Sequence, residues 1–182
     1  LPDFTDPGEP RGPKYPLRLE FCPACTLLQL GETTPRDALY HERYGFKSGV
    51  NEAIRADLAD VVKCALAAAP EANSWLDIAC NDGTLLSNVP RSIYRAGIDP
   101  LRQFAAEAGL HADEIISDYF RPGHYPHSPF DIITSVSMFY DLDDPISFAK
   151  DVASVLAEDG VWVIQQNYAA TMLSQHAVDN LC

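Results

Sequence analysis

One stretch constrains the rest of the chain more than any other: Trp75 to Leu86, reading WLDIACNDGTLL. Apolar residues and Asp77 run into a tight turn from Ala79 to Gly83, and Thr84, Leu85 and Leu86 then read as the start of a helix. A strand, a turn and a helix in that order place the turn at the carboxyl end of a strand. In open α/β sheets ligands sit there, because the first N–H groups after the turn are unpaired and small residues let a ligand approach the main chain. The turn is a candidate cofactor site.

The flanking segments supply the rest of such a sheet. Asn51 reads as an N-cap, and Ile54, Leu58, Val61, Val62, Ala65 and Leu66 recur at helical spacing until Pro70. Cys64 falls within that pattern and reads as a small packing residue. Tyr94 to Asp99 reads as a second strand whose acidic end lies 22 positions after Asp77. In dinucleotide-type folds an acidic residue at about that spacing accepts hydrogen bonds from a ribose. Leu101, Phe104, Ala105 and Ala108 make a helical face with Pro100 at its first turn and Gly109 at its end. Glu114 to Phe120 is a third short strand, Phe130 to Met138 a fourth that is apolar on both faces, and Val161 to Ile164 a fifth. Between the last two, Asp143, Asp144 and Pro145 open a helix whose buried side runs from Ile146 to Leu156. The pattern predicts an α/β, Rossmann-like sheet of parallel strands with helices on both faces and right-handed crossovers. His124 and His127 stand in a proline-rich loop and read as solvated histidines.

The amino-terminal part is different in kind. Prolines at 2, 7, 10, 13 and 16 suit an extended arm, and two short strands, Leu17 to Phe21 and Leu27 to Leu30, flank the knuckle Cys22-Pro23-Ala24-Cys25. Two thiols are half of a tetrahedral zinc site or a plain hairpin turn, and no second such pair occurs in the chain. The segment from Tyr40 to Gly49 reads as a linking loop in which Tyr44 and Phe46 fill a junction, or in which Tyr44 and Ser48 close over the pocket. The chain thus divides at about residue 40, with an arm and hairpin over 1–40 and the sheet domain over 41–182. With 13 basic against 26 acidic residues the net charge is −13, which disfavours nucleic acid and anionic membrane surfaces. No apolar run reaches the roughly 20 residues of a membrane span, so a cytoplasmic protein is expected. The start at Leu1 and the stop at Cys182 lead us to expect a fragment.

The order of elements resembles the class I S-adenosylmethionine-dependent methyltransferases, whose first strand and turn run hhDhGxGxG with an acidic end to the second strand. Asp77, Gly83 and Asp99 fall on that pattern, whereas Ala79 and Asn81 replace the first two glycines. Alanine serves there if its φ is negative, and asparagine visits the left-handed region more readily than most residues. More narrowly, the CPxC hairpin, the YxFxSG linker, the DIxCNDGTLL turn and the closing residues Val178 to Cys182 resemble sugar C-methyltransferases acting on nucleotide-linked deoxyketohexoses. Those enzymes carry an amino-terminal zinc domain, of which Cys22 and Cys25 resemble the second pair, so zinc is expected in a longer parent protein.

The resemblance implies roles. The turn from Ala79 through Asn81 to Gly83 would lie against the methionine and ribose parts of S-adenosylmethionine, with Asp77 at its base. Asp99 would take the ribose hydroxyls, Asp118 the adenine amino group with Tyr119 beside the ring, and Ser135 to Met138, including Ser137, would border the methionine part. The family's catalytic base is expected beyond Cys182, Tyr44 is the one candidate within the chain, and Asp141 stands where a histidine is common. The sheet lacks the last two strands of the family and is expected to be incomplete at its carboxyl end. The expected partner is a nucleotide-linked sugar. The alternatives are a cofactor-binding fragment without catalysis, a methyltransferase for small-molecule oxygen or nitrogen acceptors, and an NAD-dependent oxidoreductase, against which the absence of GxGxxG argues.

Overall fold

The computed structural model describes Gly8, residues 13–125 and residues 128–176. Most of the amino-terminal arm, His127 and the Val178 to Cys182 tail lie outside the described residues. Contacts divide the chain into one unit of residues 46–165 and another of residues 1–45 with 166–182.

In the smaller unit, β1 (Leu19–Phe21) and β2 (Leu28–Leu30) pair antiparallel, with Leu19 opposite Leu30. The knuckle between them is closed by Cys22 N–H donating to Leu27 O at 2.9 Å and by Thr26 N–H donating to Cys22 O at 2.8 Å. Main-chain N–H groups of Cys25 and then Ala24 hold the Cys22 thiol below its ordinary pKa. A one-turn helix, α1 (Arg36–Leu39), follows.

The larger unit begins its regular structure with α2 (Glu52–Ala68). Asn51 caps it, its side chain accepting from Ala53 N–H at 2.9 Å; such a cap contributes about 1 kcal/mol. Leu58, Val62 and Ala65 form its buried stripe. Cys64, expected within that stripe, is exposed, because it follows Val62 by two residues and a helix turns the intervening 200° away from the core. The sheet is built from β3 (Ser74–Ile78), β4 (Tyr94–Ile98), a one-turn α3 (Ala105–Ala108), β5 (Glu114–Ile116), β6 (Phe130–Val136), α4 (Pro145–Val155) and β7 (Leu156–Gln165). Its order is β5-β4-β3-β6-β7 and every pairing is parallel. One face packs Trp75, Ile132 and Leu86 against α2, and the other packs Leu76, Ile98, Phe130 and Ile133 against Tyr125 and Val152 of α4. Burial on both faces explains the near-continuous apolar run of β6. The chain then enters α5 (Ala169–Gln175), which belongs to the smaller unit. Among the described residues, no helix is long and apolar enough to cross a membrane.

Three elements depart from expectation. After the turn, Leu86–Asn88 forms only a 3₁₀ turn in place of a helix. Ser87 Oγ–H and Asn88 Nδ2–H both donate to Thr84 O, at 2.7 and 2.9 Å, and Pro90 then bars continuation. The helix expected from Leu101 shrinks to a 3₁₀ turn at Arg102–Phe104 followed by α3, since Asp99 Oδ1 holds Leu101 N–H at 2.8 Å in a turn. Finally, α4 ends at Val155 and Leu156 already pairs with Phe130, whereas Ile132 pairs with Val161. The residues between, through Gly160, form a bulge in β7. At the other end of α4, Asp144 caps Ser147 N–H at 2.9 Å with Pro145 at the first position, but Ile146, expected on the buried side, is exposed in this first turn.

Candidate functional site

The register aligns the carboxyl edge of the sheet. Ile98 pairs with Ile78 and Ile116, Ile78 pairs with Ser135, and Ser135 with Ile164. The next row is therefore Ala79, Asp99, Ser117, Val136 and Gln165. Strand order reverses between β3 and β6, the topological switch point at which open α/β sheets hold ligands. The turn after β3 lies at that point.

Three of the five residues of the turn are left-handed: Ala79 at φ +64°, Asn81 at +50° and Gly83 at +78°. The condition under which alanine would serve without strain, a negative φ, is not met at Ala79. An L-residue pays roughly 1–2 kcal/mol for this region, and several hydrogen bonds hold the turn there. Ala79 N–H and Cys80 N–H both donate to Ile98 O, at 2.8 and 3.2 Å, Asn81 N–H donates to Asp99 Oδ2 at 2.8 Å, and Gly83 N–H to Cys80 O at 2.9 Å. Only glycine fits at 83, since a Cβ there would lie 2.8 Å from Ala108 Cα.

The carboxylates along this edge differ in what they do. Asp99 is bound by Asn81 N–H on one oxygen and Leu101 N–H on the other, each at 2.8 Å. Burial raises its pKa, and those two N–H groups pull it back down. A carboxylate oxygen carries two lone pairs, so each retains one for a further donor. Asp77 faces inward instead. Thr134 Oγ–H donates to Asp77 Oδ1 at 2.6 Å while accepting from Trp75 Nε1–H at 3.0 Å, and burial pushes Asp77 up to about 7. Its partner is thus a neighbouring strand rather than the turn N–H groups.

Asp118 lies two residues beyond β5; its Oδ1 accepts from Tyr119 N–H at 2.7 Å, and its Oδ2 lies 3.6 Å from His124 Nε2. His124, expected to be solvated, sits in a 3₁₀ turn with its side chain only 24% exposed. Ser135 is fully buried one row inside the edge, its Oγ accepting from Trp162 Nε1–H at 3.1 Å, so it does not border the edge. Ser137, beyond β6 at φ +53°, is exposed and donates its N–H to Gln165 O at 2.8 Å. Tyr44 belongs to the smaller unit, where its ring centroid lies 5.5 Å from that of Tyr40.

A model of the family described as "Methyltransferase domain" matches residues 50–180. The chain belongs to the methyltransferase domain family. No curated protein matches it. Among solved structures, the plantazolicin methyltransferase BpumL in complex with a pentazolic analogue and SAH is similar at a TM-score of 0.58 and 16% identity, over 70% of this chain and 53% of that one. The N-methyltransferase NodS from Bradyrhizobium japonicum WM9, in complex with S-adenosyl-L-homocysteine, gives 0.57 and 17%, over 70% and 69%. The sugar N-methyltransferase KedS8 from Streptoalloteichus sp ATCC 53650 gives 0.54 and 22%, over 64% and 50%. The chain spans about half the length of the first and third of these, and at such identities the likeness is one of fold.

Within the methyltransferase domain several contributors were missed from sequence. Asp82 is buried and accepts from Thr84 N–H at 3.1 Å, from Thr84 Oγ–H at 2.6 Å and from Gly49 N–H at 2.8 Å. The local signal was an aspartate two residues before a threonine, which is an Asx turn. Cys80 packs its sulfur over Gly97, where a Cβ would approach to 2.8 Å. Burial, followed by the charges of Asp77 and Asp99, raises its thiol pKa well above the ordinary value, which leaves it a packing group. The segment around Ser48 meets the turn through main-chain groups, which no side-chain motif reports. A groove of about 440 Å³ lined by Pro70, Glu71, Asp131 and Asp159 lies at the opposite, amino edge of the sheet. Asp131 there accepts on Oδ2 from Asn73 N–H and Ser74 N–H at 2.7 and 3.1 Å.

A zinc site fits less well. Among the described residues no group of three or more His, Cys, Asp or Glu could hold a metal, and Cys22 and Cys25 supply two of the four ligands that a closed structural site requires.

Proposed function

We propose that this domain binds S-adenosylmethionine along its carboxyl edge and forms the donor half of an enzyme that methylates a carbon of a nucleotide-linked deoxyketosugar. The observation that carries the cofactor reading is Asp99: a carboxylate pinned one residue past β4, beside a left-handed turn, with a lone pair left on each oxygen for a vicinal diol. When bound, the cofactor supplies a methyl group on a sulfonium, whose transfer depends on in-line alignment more than on acid–base help. The chain's residues would supply that alignment. The Ala79 to Gly83 turn carries the methionine and ribose portions, Asp99 accepts from the ribose hydroxyls, and Asp118 meets the adenine amino group with Tyr119 beside the ring. Ser137 borders the methionine part. Charge supports the reading, since Asp82, Asp99 and Asp118 follow the carboxyl ends of β3, β4 and β5 and the chain's net charge of −13 is opposite to that of a sulfonium.

Isothermal titration of the chain with S-adenosylhomocysteine tests the cofactor assignment, with one saturable site expected. No heat at millimolar ligand, or displacement of the ligand by NADH, overturns it. The acceptor class rests on the CPxC, YxFxSG and DIxCNDGTLL resemblance. Incubation of the whole enzyme that contains this donor half with methyl-labelled S-adenosylmethionine and a nucleotide-linked ketohexose, read by carbon NMR, should give a new carbon-bound methyl; an O- or N-methyl resonance would replace this acceptor with the other class.

A further inference from the structure

Asn81 stands where a glycine would satisfy φ +50° with less strain, and both ends of its side chain are engaged. Its Oδ1 accepts from Ser48 N–H at 3.1 Å and its Nδ2–H donates to Phe46 O at 3.1 Å. The next residue repeats the pattern, Asp82 Oδ2 accepting from Gly49 N–H at 2.8 Å. From the other side, Arg55 Nη1–H of α2 donates to Gly49 O at 2.6 Å, and Lys47 pairs with Glu107 of α3. The approach is close: a Cβ at Gly49 would meet Thr84 Oγ1 at 2.8 Å and Asp82 Oδ2 at 3.0 Å, so a side chain there would have to displace them. Segment 46–50 is thus held on the turn through its main chain, by the Asn81 side chain and by the Asp82 oxygen that the Asx turn to Thr84 leaves over.

We propose that Asn81 and Asp82 are positioning residues that strap segment 46–50 against the turn and make it one fixed wall of the S-adenosylmethionine site. The proposal rests on the cofactor reading above. It explains why the glycine-poor turn is not a weakened version of a glycine-rich one. The backbone conformation that glycine permits is kept, and the side chain that glycine lacks recruits a wall. The strap and the turn then move as one body, so a ligand meeting both avoids the cost of ordering the strap on binding.

The discriminating variant is Asn81→Gly, which relieves the left-handed strain and deletes the two strap bonds together. S-adenosylhomocysteine titration and amide hydrogen exchange at Ser48 and Gly49 are measured on the full chain, with thermal unfolding to show that the fold persists. Loss of two hydrogen bonds should weaken binding about tenfold and speed exchange at Ser48 at least about tenfold. Asn81→Asp, which keeps the acceptor for Ser48 N–H but turns an oxygen toward Phe46 O, should fall between the two. Equal or tighter binding by Asn81→Gly overturns the wall while leaving the cofactor reading intact. If the unsubstituted chain binds no S-adenosylhomocysteine, the cofactor reading itself fails and the wall falls with it, even where Ser48 and Gly49 are protected from exchange.

Discussion

Replacing Thr134 by valine probes the buried relay between β3 and β6. The swap preserves volume and β-branching, so cavity effects are small, and what it removes is one hydroxyl in a fully buried position. That hydroxyl accepts from Trp75 Nε1–H at 3.0 Å and donates to Asp77 Oδ1 at 2.6 Å, and both partners are themselves buried. Leaving a buried polar group unsatisfied costs about 1–3 kcal/mol, so two such groups predict a loss of about 2–6 kcal/mol. The loss should depend on pH. The Thr134 bond lowers the pKa of Asp77, which means that it favours the carboxylate, and Asp77 ionises at about 7. The penalty should therefore be larger at pH 8.5 than at pH 5.5. Urea unfolding followed by tryptophan fluorescence measures it, Trp75 and Trp162 being the two reporters. Thr134→Ser keeps the hydroxyl and should lose only the methyl's share, about 1 kcal/mol. A Thr134→Val loss within about 0.5 kcal/mol of the serine variant's at both pH values would refute the relay, since a hydroxyl bonded on both sides cannot be removed so cheaply.

Other consequences follow from the same geometry. Because burial raises Asp77 from 3.8 to about 7, its contribution to stability is fully present below pH 4 and is lost as pH rises toward 7. Wild type should lose about 4 kcal/mol relative to Asp77→Asn across that window, as judged by urea unfolding of the two proteins side by side; parallel pH profiles would contradict the assignment. Gly83→Ala forces a Cβ to within 2.8 Å of Ala108 Cα at φ +78° and should cost about 2 kcal/mol or more. Gly123→Ala, with nothing within 4 Å, should stay within about 0.5 kcal/mol in the same thermal-unfolding assay. Asp118→Ala should weaken S-adenosylhomocysteine binding by up to about tenfold without lowering the unfolding temperature, because this side chain is 43% exposed and its close bond is to the adjacent Tyr119 N–H; unchanged affinity removes Asp118 from the site.

The strands and the two longer helices were legible because each is written in local periodicity and punctuation. The alternation and apolar runs of β3, β4 and β6, the Asn51 and Asp144 caps and the Pro145 start all act within a few residues. The helix that became a single 3₁₀ turn after Gly83 and the one that began as a 3₁₀ turn after Asp99 were misread for an equally local reason that competes with periodicity. Side chains of Ser87, Asn88 and Asp99 bond to nearby main chain and draw it into tighter turns than the apolar spacing implies. The start of β7 was missed because Leu156 satisfies both a helical face and a strand, and its pairing with Phe130 decides between them.

For the site the division is sharper. The residues alone determined that a strand would run into a tight turn closing at Gly83, and that an acidic residue would end the next strand at Asp99, since both depend on chain-local geometry and spacing. Only tertiary structure decided what those residues face. Parallel pairing of β3 with β6 set Asp77 against Thr134, burial left Ser135 bonded to Trp162 one row inside the carboxyl edge, and the folding of segment 46–50 back onto the turn gave Asn81 and Asp82 their partners. Such contacts join residues 27 to 57 positions apart, across strands or onto main-chain groups that carry no sequence signature of their own.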